Sequence, residues 1–210
     1  MAATDHSGKT LPAIFPSLYL RVMADVLGQN GADAVLRRSG LEVWSSNPPI
    51  AGTGSGVDFA QISAMLAALE ETIGRRGAAG MERRMGMAVF EEVLRPHGPI
   101  AAMQDPAFQA LPADKKLRAG ILAITRILGQ LSDWQPVSEE IPGGVLVRTV
   151  DCPDCWGRSS HSPVCNPTMG LLMAGAYWSV PESAVVTDEA ACRALDATAC
   201  EVTLRFEDEG

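Results

Sequence analysis

The distribution of cysteine constrains this chain more than any other feature of its sequence. All five cysteines lie in the final third, and the residues before Cys152 contain none. Disulfide frameworks use cysteines in pairs, so an odd number clustered in this way favours metal ligation. The cysteine-rich stretch is therefore predicted to fold around a metal site.

The spacing of the cysteines supports this prediction. Two residues separate Cys152 from Cys155, the spacing at which two thiolates reach one ion from a tight turn. Cys192 and Cys200 stand further apart, but a local turn can bring them together. Glu189 precedes Cys192 by three residues, about one helical turn, and is counted as a further candidate ligand.

Cys165 completes the set of candidate ligands. It precedes a predicted helix N-terminus, where the helix dipole favours a thiolate. A structural zinc ion with four ligands and an iron–sulfur cluster on three or four cysteines are both compatible with the pattern. A redox pair at Cys152 and Cys155 is a third interpretation, although the βαβ setting of a thioredoxin-like motif is absent. Cysteines without a joint role are the fourth, and the spacing leaves all four open.

Composition excludes several classes of partner. The net charge of −8 and the absence of a basic stripe argue against nucleic acid and against an anionic membrane surface. No signal-like N-terminus and no apolar run of membrane-spanning length is present, which predicts a cytoplasmic protein with reduced thiols. The glycine-rich GTGSG stretch lacks the Lys-Ser/Thr of a phosphate loop and is interpreted as a linker.

Hydrophobic periodicity predicts an α+β fold, with N-terminal helices packed on a small antiparallel sheet. Residues 1–15 are expected to form a mobile tail, 16–132 a helical part, and 133–210 a sheet with the cysteine-rich metal site. Asn166 and Pro167 have the residue types of an N-cap and a first helical position. Together the two larger parts are expected to form one ligand-binding domain. A heptad stripe over 117–131 is interpreted as core, with pairing to a second subunit as the alternative.

The cysteine-rich stretch resembles a known family. Cys165, a glycine-bearing apolar helix, and the run Glu189-x2-Cys192-x7-Cys200 are similar to the 4-vinyl-reductase-like, or hydrocarbon-binding, domain. The resemblance covers residues 143–206 and continues less closely over 16–132. That domain occurs in a bacteriochlorophyll-biosynthesis protein and in the sensor domains of phenol-responsive transcription activators.

The resemblance implies a zinc site made by Cys165, Glu189, Cys192 and Cys200. Two departures from the family pattern bear on this ligand set. Asp196-Ala197 stands where the family usually has Gly-Asp between its last two cysteines. The phenol sensors lack an equivalent of the pair Cys152 and Cys155, which some stand-alone members have, so this pair offers alternative metal or redox ligands. The same resemblance implies an apolar pocket between the helices and the sheet.

Candidate lining residues for that pocket are methionines and aromatics that adapt to irregular ligands, namely Met85, Trp134, Met169, Met173 and Tyr177. The predicted function is small-molecule binding, sensory or carrier in role, with structural zinc and an apolar or aromatic ligand, in a protein expected to be a homodimer. The alternatives are a tetrapyrrole-metabolism enzyme or accessory protein, and an iron–sulfur protein. Catalysis is disfavoured because none of the three histidines has an evident catalytic partner.

Overall fold

The computed structural model describes residues 6–50 and 56–207 and shows an α+β fold with two antiparallel sheets, which confirms the predicted fold class. The helices are α1 (Ile14–Ser39), α2 (Val43–Ser46), α3 (Phe59–Ile73), α4 (Arg75–Val89), α5 (Gly98–Ala101), α6 (Pro106–Gln109), α7 (Ala113–Leu131) and α8 (Asn166–Ser179). The strands are β1 (Thr10–Pro12), β2 (Gly56–Asp58), β3 (Val137–Ile141), β4 (Gly144–Thr149), β5 (Val185–Ala191) and β6 (Cys200–Phe206). A π-helical segment, Phe90–Leu94, extends α4.

The larger sheet has the strand order β3-β4-β6-β5. Its β3–β4 hairpin turns at Gly143, whose φ of 72° is left-handed and suits glycine. In the β4–β6 pair, Thr149 lies opposite Cys200, so β4 ends where β6 begins, at one end of the sheet. A register shift between Glu189 and Ala191 ends the regular pairing of β5 at the same end.

The long N-terminal helix bends where its sequence pattern is interrupted. Gly28 has φ 70° and ψ 167°, which is not helical, and Gly40 ends the helix in the left-handed conformation with φ 72°. Gly74, with φ 78°, likewise separates α3 from α4.

One apolar core joins the helices to the larger sheet. Helix α8 lies at its centre and packs on α4, α7 and β5. The heptad stripe of α7 is part of this core, because Leu117, Ile121, Ile124 and Leu128 are all buried. The stripe therefore faces the interior of the chain and does not support the expected homodimer.

The tail predicted to be mobile is partly ordered. Residues 1–5 lie outside the described part, but β1 pairs with β2 in the smaller sheet, and α1 begins at Ile14. Asp58 holds this region together, since its carboxylate accepts hydrogen bonds from the backbone N–H groups of Ser7, Gly8 and Ala60. A strand of three residues is too short for apolar alternation to distinguish it in the sequence.

Asp58→Ala is expected to lower the free energy of unfolding by about 2 kcal/mol, because it removes the N-cap of α3 and the link to residues 7 and 8. Burial opposes ionisation of Asp58, but hydrogen bonds from His6, Ala60 and Ser7 prevail and lower its pKa to about 2. Urea denaturation at neutral pH measures the effect. Asp114→Ala is the control, since Asp114 lies in the first turn of α7 without capping it, and should change stability by about 0.5 kcal/mol at most. Equal effects of the two variants would contradict the role given to Asp58.

Within the described residues, no helix combines the length and apolar character needed to cross a bilayer. The GTGSG stretch interpreted as a linker falls largely in residues 51–55, outside the described part, and only Gly56 belongs to an element, β2.

Candidate functional site

Four chain segments bring the five cysteines together at one end of the larger sheet, where β4 and β5 end and β6 begins. The turn after β4 contains Cys152 and Cys155, Cys165 directly precedes α8, Cys192 follows β5, and Cys200 opens β6. All five side chains are buried, with at most 4 % of their surface exposed. They form a small cluster with Val164 and Ala194, separate from the main core.

Asp154 positions the Cys152–Cys155 turn against α8. Its buried carboxylate accepts hydrogen bonds from the backbone N–H of Thr168, at 2.9 Å, and from the Thr168 hydroxyl, at 2.6 Å. Thr168 lies in the first turn of α8, so a carboxylate there also satisfies the open N-terminus of the helix. Burial raises the pKa of Asp154 to about 7, although the hydrogen bonds from Thr168 act in the opposite direction.

The sulfur atoms are in van der Waals contact but are not bonded to one another. The Sγ–Sγ distances are 3.5 Å for Cys152–Cys165, 3.4 Å for Cys155–Cys200, 3.6 Å for Cys165–Cys200 and 3.7 Å for Cys165–Cys192. A disulfide requires about 2.05 Å, so all five cysteines are free thiols.

The structure divides the six predicted ligands into two overlapping groups. The Sγ atoms of Cys152, Cys155, Cys165 and Cys200 all lie within 4.8 Å of one another. Cys165 also belongs to a second group of three donors, with Glu189 and Cys192. The four ligands implied by the resemblance do not form one such group, because Cys200 clusters with the Cys152–Cys155 turn.

The carboxylate of Glu189 contacts the cysteine cluster at the backbone N–H of Cys165. Its Oε2 accepts a hydrogen bond from the N–H of Cys165 at 3.0 Å, whereas Oε1 is buried and has no hydrogen-bond partner. Burial, followed by the neighbouring Cys192, raises the pKa of Glu189 to about 8.

The thiols differ in acidity because they share hydrogen bonds. Cys200 accepts hydrogen bonds from Cys152 first, then from Cys155 and Cys165, and these lower the pKa of its thiol well below the ordinary value. The backbone N–H of Arg193 also donates to Cys200 Sγ, at 3.3 Å. Conversely, hydrogen bonding to Cys152 and the other thiols, together with burial, raises the pKa of Cys165.

A separate apolar groove lies between α4, α8 and β5. Its volume is about 560 Å³, and it is lined by Met87, Glu91, Met173, Ala174, Ala176, Tyr177, Ser183, Ala184 and Val185. Tyr177 is 71 % exposed and Met87 and Met173 more than a third exposed, which is unusual for large apolar side chains.

The predicted pocket residues divide between this groove and the core. Met173 and Tyr177 line the groove, whereas Met85, Trp134 and Met169 are buried in the main core. The residues around the groove that sequence reasoning did not select include Glu91, Ser183 and Val185. No motif marks them, because they come together only when the start of β5 packs beside α8.

No histidine of the described part belongs to the two groups of possible metal ligands or lines the apolar groove. His6 contacts Asp58 at 3.0 Å, and His97 is half-buried in the connection between α4 and α5. His161 is exposed and borders an open, charged cavity of about 830 Å³ that Glu70, Arg75 and Arg158 also line.

Comparisons with known proteins reveal likeness of fold. No family model and no curated protein matches the sequence. One similar solved structure, from a study of heme distortion in the H-NOX family, has a TM-score of 0.57 at 10 % identity and covers 94 % of this chain and 96 % of its own. An H-NOX protein from Shewanella woodyi, solved in an Fe(II)CO ligation state, has a TM-score of 0.53 at 16 % identity and covers 94 % and 95 %.

The phenol-responsive sensory domain of the transcription activator PoxR is also similar, with a TM-score of 0.51 at 15 % identity over 73 % of this chain and 77 % of that domain. At these identities the comparisons show the shared fold alone. They correct the assignment to the 4-vinyl-reductase-like family, because the neighbours that match over nearly the whole chain are H-NOX domains. The cofactor prediction of zinc, or alternatively an iron–sulfur cluster, is wrong on the same finding, since those neighbours are described with heme or ligated Fe(II).

The described residues do not fit a heme. A heme requires an enclosed apolar pocket with an axial ligand. The apolar groove is open to solvent at Tyr177, and no histidine of the described part lines it. The interior around α4 is filled by side chains, including Met65, Met85 and Phe90, none of which is exposed. The likeness to H-NOX domains thus extends to the fold and not to a heme pocket.

Proposed function

We propose that this protein is a small-molecule-binding sensory module and not an enzyme, and that its ligand is apolar or aromatic. The observation that carries the proposal is the exposed apolar groove between α4, α8 and β5. Its volume of about 560 Å³ lies within the range of about 300–1,000 Å³ that is usual for small-molecule sites. The fold shared with a phenol-responsive sensory domain adds support, because that neighbour responds to an aromatic molecule.

The chemistry of the groove selects its ligand. Methionine and alanine side chains form most of its wall, with the ring of Tyr177 at one side. Methionine adapts its shape to irregular apolar ligands, and an aromatic ring stacks on another ring. Polar groups are few: Glu91, which pairs with Arg95, and the hydroxyls of Ser183 and Tyr177. A molecule with an aromatic body and one hydrogen-bonding group, such as a phenol or a naphthol, fits this lining.

The groove also suggests how binding is transmitted. It is bordered by α8, which begins at the cysteine cluster, and by β5, which ends at the same cluster. A ligand that draws α8 and β5 together would therefore shift the ends of both elements at the cysteine cluster without contacting the cysteines. We infer that signal output passes to a partner protein, because the described chain shows no catalytic constellation of its own.

Tyr177→Ala and Met173→Ala are each expected to weaken binding of 1-naphthol by about fivefold to tenfold, which corresponds to the loss of about 1–1.4 kcal/mol of apolar contact. Isothermal titration calorimetry of the wild type and the variants measures the change. Ala184→Trp, which fills the groove from its exposed edge, should abolish binding.

Val43→Ala is the matched control, since Val43, like Tyr177 and Met173, is an exposed apolar residue. Val43 lies on α2 and does not line the groove. It should bind 1-naphthol like the wild type. Naphthol affinity that is the same in all four variants would place the ligand elsewhere. Failure of the wild type to bind phenol, naphthol or a fluorescent apolar dye would overturn the proposed function itself.

A further inference from the structure

The cysteine cluster has the geometry of a single closed metal site. We infer that Cys152, Cys155, Cys165 and Cys200 bind one divalent, thiolate-preferring metal ion, and that Cys192 and Glu189 lie beside this site without ligating the ion. The inference rests on the cysteine geometry and is independent of the apolar groove.

The sulfur spacing is close to that of a tetrahedral site with four thiolates. Four thiolates at about 2.3 Å from one ion in a tetrahedron stand about 3.8 Å apart. The contacts of 3.4–3.6 Å among Cys152, Cys155, Cys165 and Cys200 come close to that spacing. An ion entering the centre needs only a small outward movement of each sulfur.

The fifth thiol does not belong to the same tetrahedron. Cys192 contacts Cys165, at 3.7 Å, but is not among the four sulfurs that lie within 4.8 Å of one another. Glu189 already uses Oε2 to accept the backbone N–H of Cys165, and this hydrogen bond orients the residue that bears a ligand. Supporting contacts of this kind commonly hold metal ligands in place.

The surroundings suit a negatively charged site. One divalent ion on four thiolates has a net charge of −2, and the backbone N–H of Arg193 donates to Cys200 Sγ. Arg158 and Arg193 also border a cavity of about 320 Å³ that reaches Cys152 and Cys155. This cavity provides an entry path for an ion.

The structural consequence is a link between distant parts of the chain. The four ligands come from the turn after β4, the start of α8 and the start of β6, which are distant from one another in the sequence. Because such a site does not exist in the unfolded chain, the binding free energy of the ion adds to the stability of the fold. The ion is structural, since all four positions around it are occupied by protein.

The test uses Co²⁺ as a spectroscopic probe of the full chain under anaerobic, reducing conditions. Wild-type protein freed of metal should bind one equivalent of Co²⁺, with thiolate charge-transfer bands and the visible bands of a tetrahedral site. Ser substitutions at Cys152, Cys155, Cys165 or Cys200 should each weaken Co²⁺ binding by more than about 100-fold, beyond the effect of losing a supporting contact.

Cys192→Ser and Glu189→Gln are the matched controls, and both should stay within about tenfold of the wild type, the lower end of the effect of losing a supporting contact. The opposite pattern, in which these two variants lose Co²⁺ and Cys152→Ser and Cys155→Ser retain it, would overturn the inference in favour of the ligand set implied by the resemblance. Cadmium NMR of the wild-type protein avoids variants that fail to fold. A ¹¹³Cd shift typical of four sulfur ligands is expected, whereas one typical of three sulfurs and an oxygen would contradict the assignment.

Discussion

Gly86→Ala is expected to lower the free energy of unfolding by about 3 kcal/mol or more, which is at the upper end for an overpacked core. A Cβ at Gly86 would lie 1.8 Å from the carbonyl oxygen of Pro167 and 2.7 Å from the backbone nitrogen of Leu171. Both obstacles are backbone atoms of α8, so no side-chain rotation can relieve the clash. Urea denaturation followed by circular dichroism measures the loss.

The same crossing is closed from the other side by Gly170, whose added Cβ would meet the carbonyl oxygen of Arg83 at 2.0 Å. Two helices therefore touch backbone to backbone, and α4 fixes the position of α8. Because Cys165 directly precedes α8, Gly86→Ala should also weaken metal binding. This couples a packing defect to the cysteine cluster without changing any ligand.

Gly80→Ala provides the control within the same helix. Gly80 is exposed, and a Cβ there has no other atom within 4 Å. Alanine is the better helix former, so this variant should be more stable than the wild type by about 0.5–1 kcal/mol. If the two substitutions had similar effects, the close crossing of α4 and α8 would be incorrect.

Glu82→Gln is expected to raise the free energy of unfolding relative to the wild type as the pH increases. The difference between variant and wild type should be about 3 kcal/mol more favourable to the variant at alkaline pH than at pH 4. Glu82 is 2 % exposed, and its Oε1 has no hydrogen-bond partner. Burial raises the pKa of this carboxyl from 4.5 to about 7, against the hydrogen bond from Asn166 and the charge of Arg158. Asp154 and Glu70, which also face it, raise the pKa further.

The sign of the effect follows from proton binding. Between pH 4.5 and pH 7 the folded chain retains the Glu82 proton and the unfolded chain releases it, so the wild type loses stability as the pH rises. Each pKa unit corresponds to about 1.4 kcal/mol, and the shift spans roughly two and a half units. Glutamine accepts the same hydrogen bond from Asn166 but has no proton to lose.

The difference in unfolding free energy between Glu82→Gln and the wild type, measured from pH 4 to pH 8, reports this residue alone. Glu182→Gln serves as the control, because Glu182 is exposed in the connection between α8 and β5. This substitution should change the free energy of unfolding by no more than about 0.5 kcal/mol. A flat curve for Glu82→Gln would show that the buried carboxyl ionises without cost and would contradict its place in the core.

Local sequence pattern predicted the larger elements well. Apolar residues recur at helical spacing from Ile62 to Ile73, which predicts α3, and Gly143 lies in a turn sequence between two apolar runs, which predicts the β3–β4 hairpin. Both signals depend only on neighbouring residues. The start of α8 was misplaced by one residue, because Cys165 and not Asn166 is the N-cap. The Asn166 amide instead donates to Glu82 on α4, a contact between residues far apart in the chain.

The grouping of the cysteines required the fold. Spacing alone marks Cys152 and Cys155 as a pair, but it does not say which other thiols join them. The β4–β6 register determines that Cys200 joins this pair, because it places Cys200 opposite Thr149 and thus beside the turn that follows β4. Similarly, Met169 and Met173 lie one helical turn apart on α8, yet one is buried and the other lines the groove.

Native mass spectrometry of the full chain, purified under reducing conditions, tests the central claim most directly. The claim is that one metal ion on four cysteines organises the final third of a chain whose likeness to heme sensors is confined to fold. The account predicts one metal ion per chain and no heme, and the ion should be lost when Cys152 is replaced by serine. A bound heme, two ions per chain, or a metal-free protein with all five thiols reduced would contradict it.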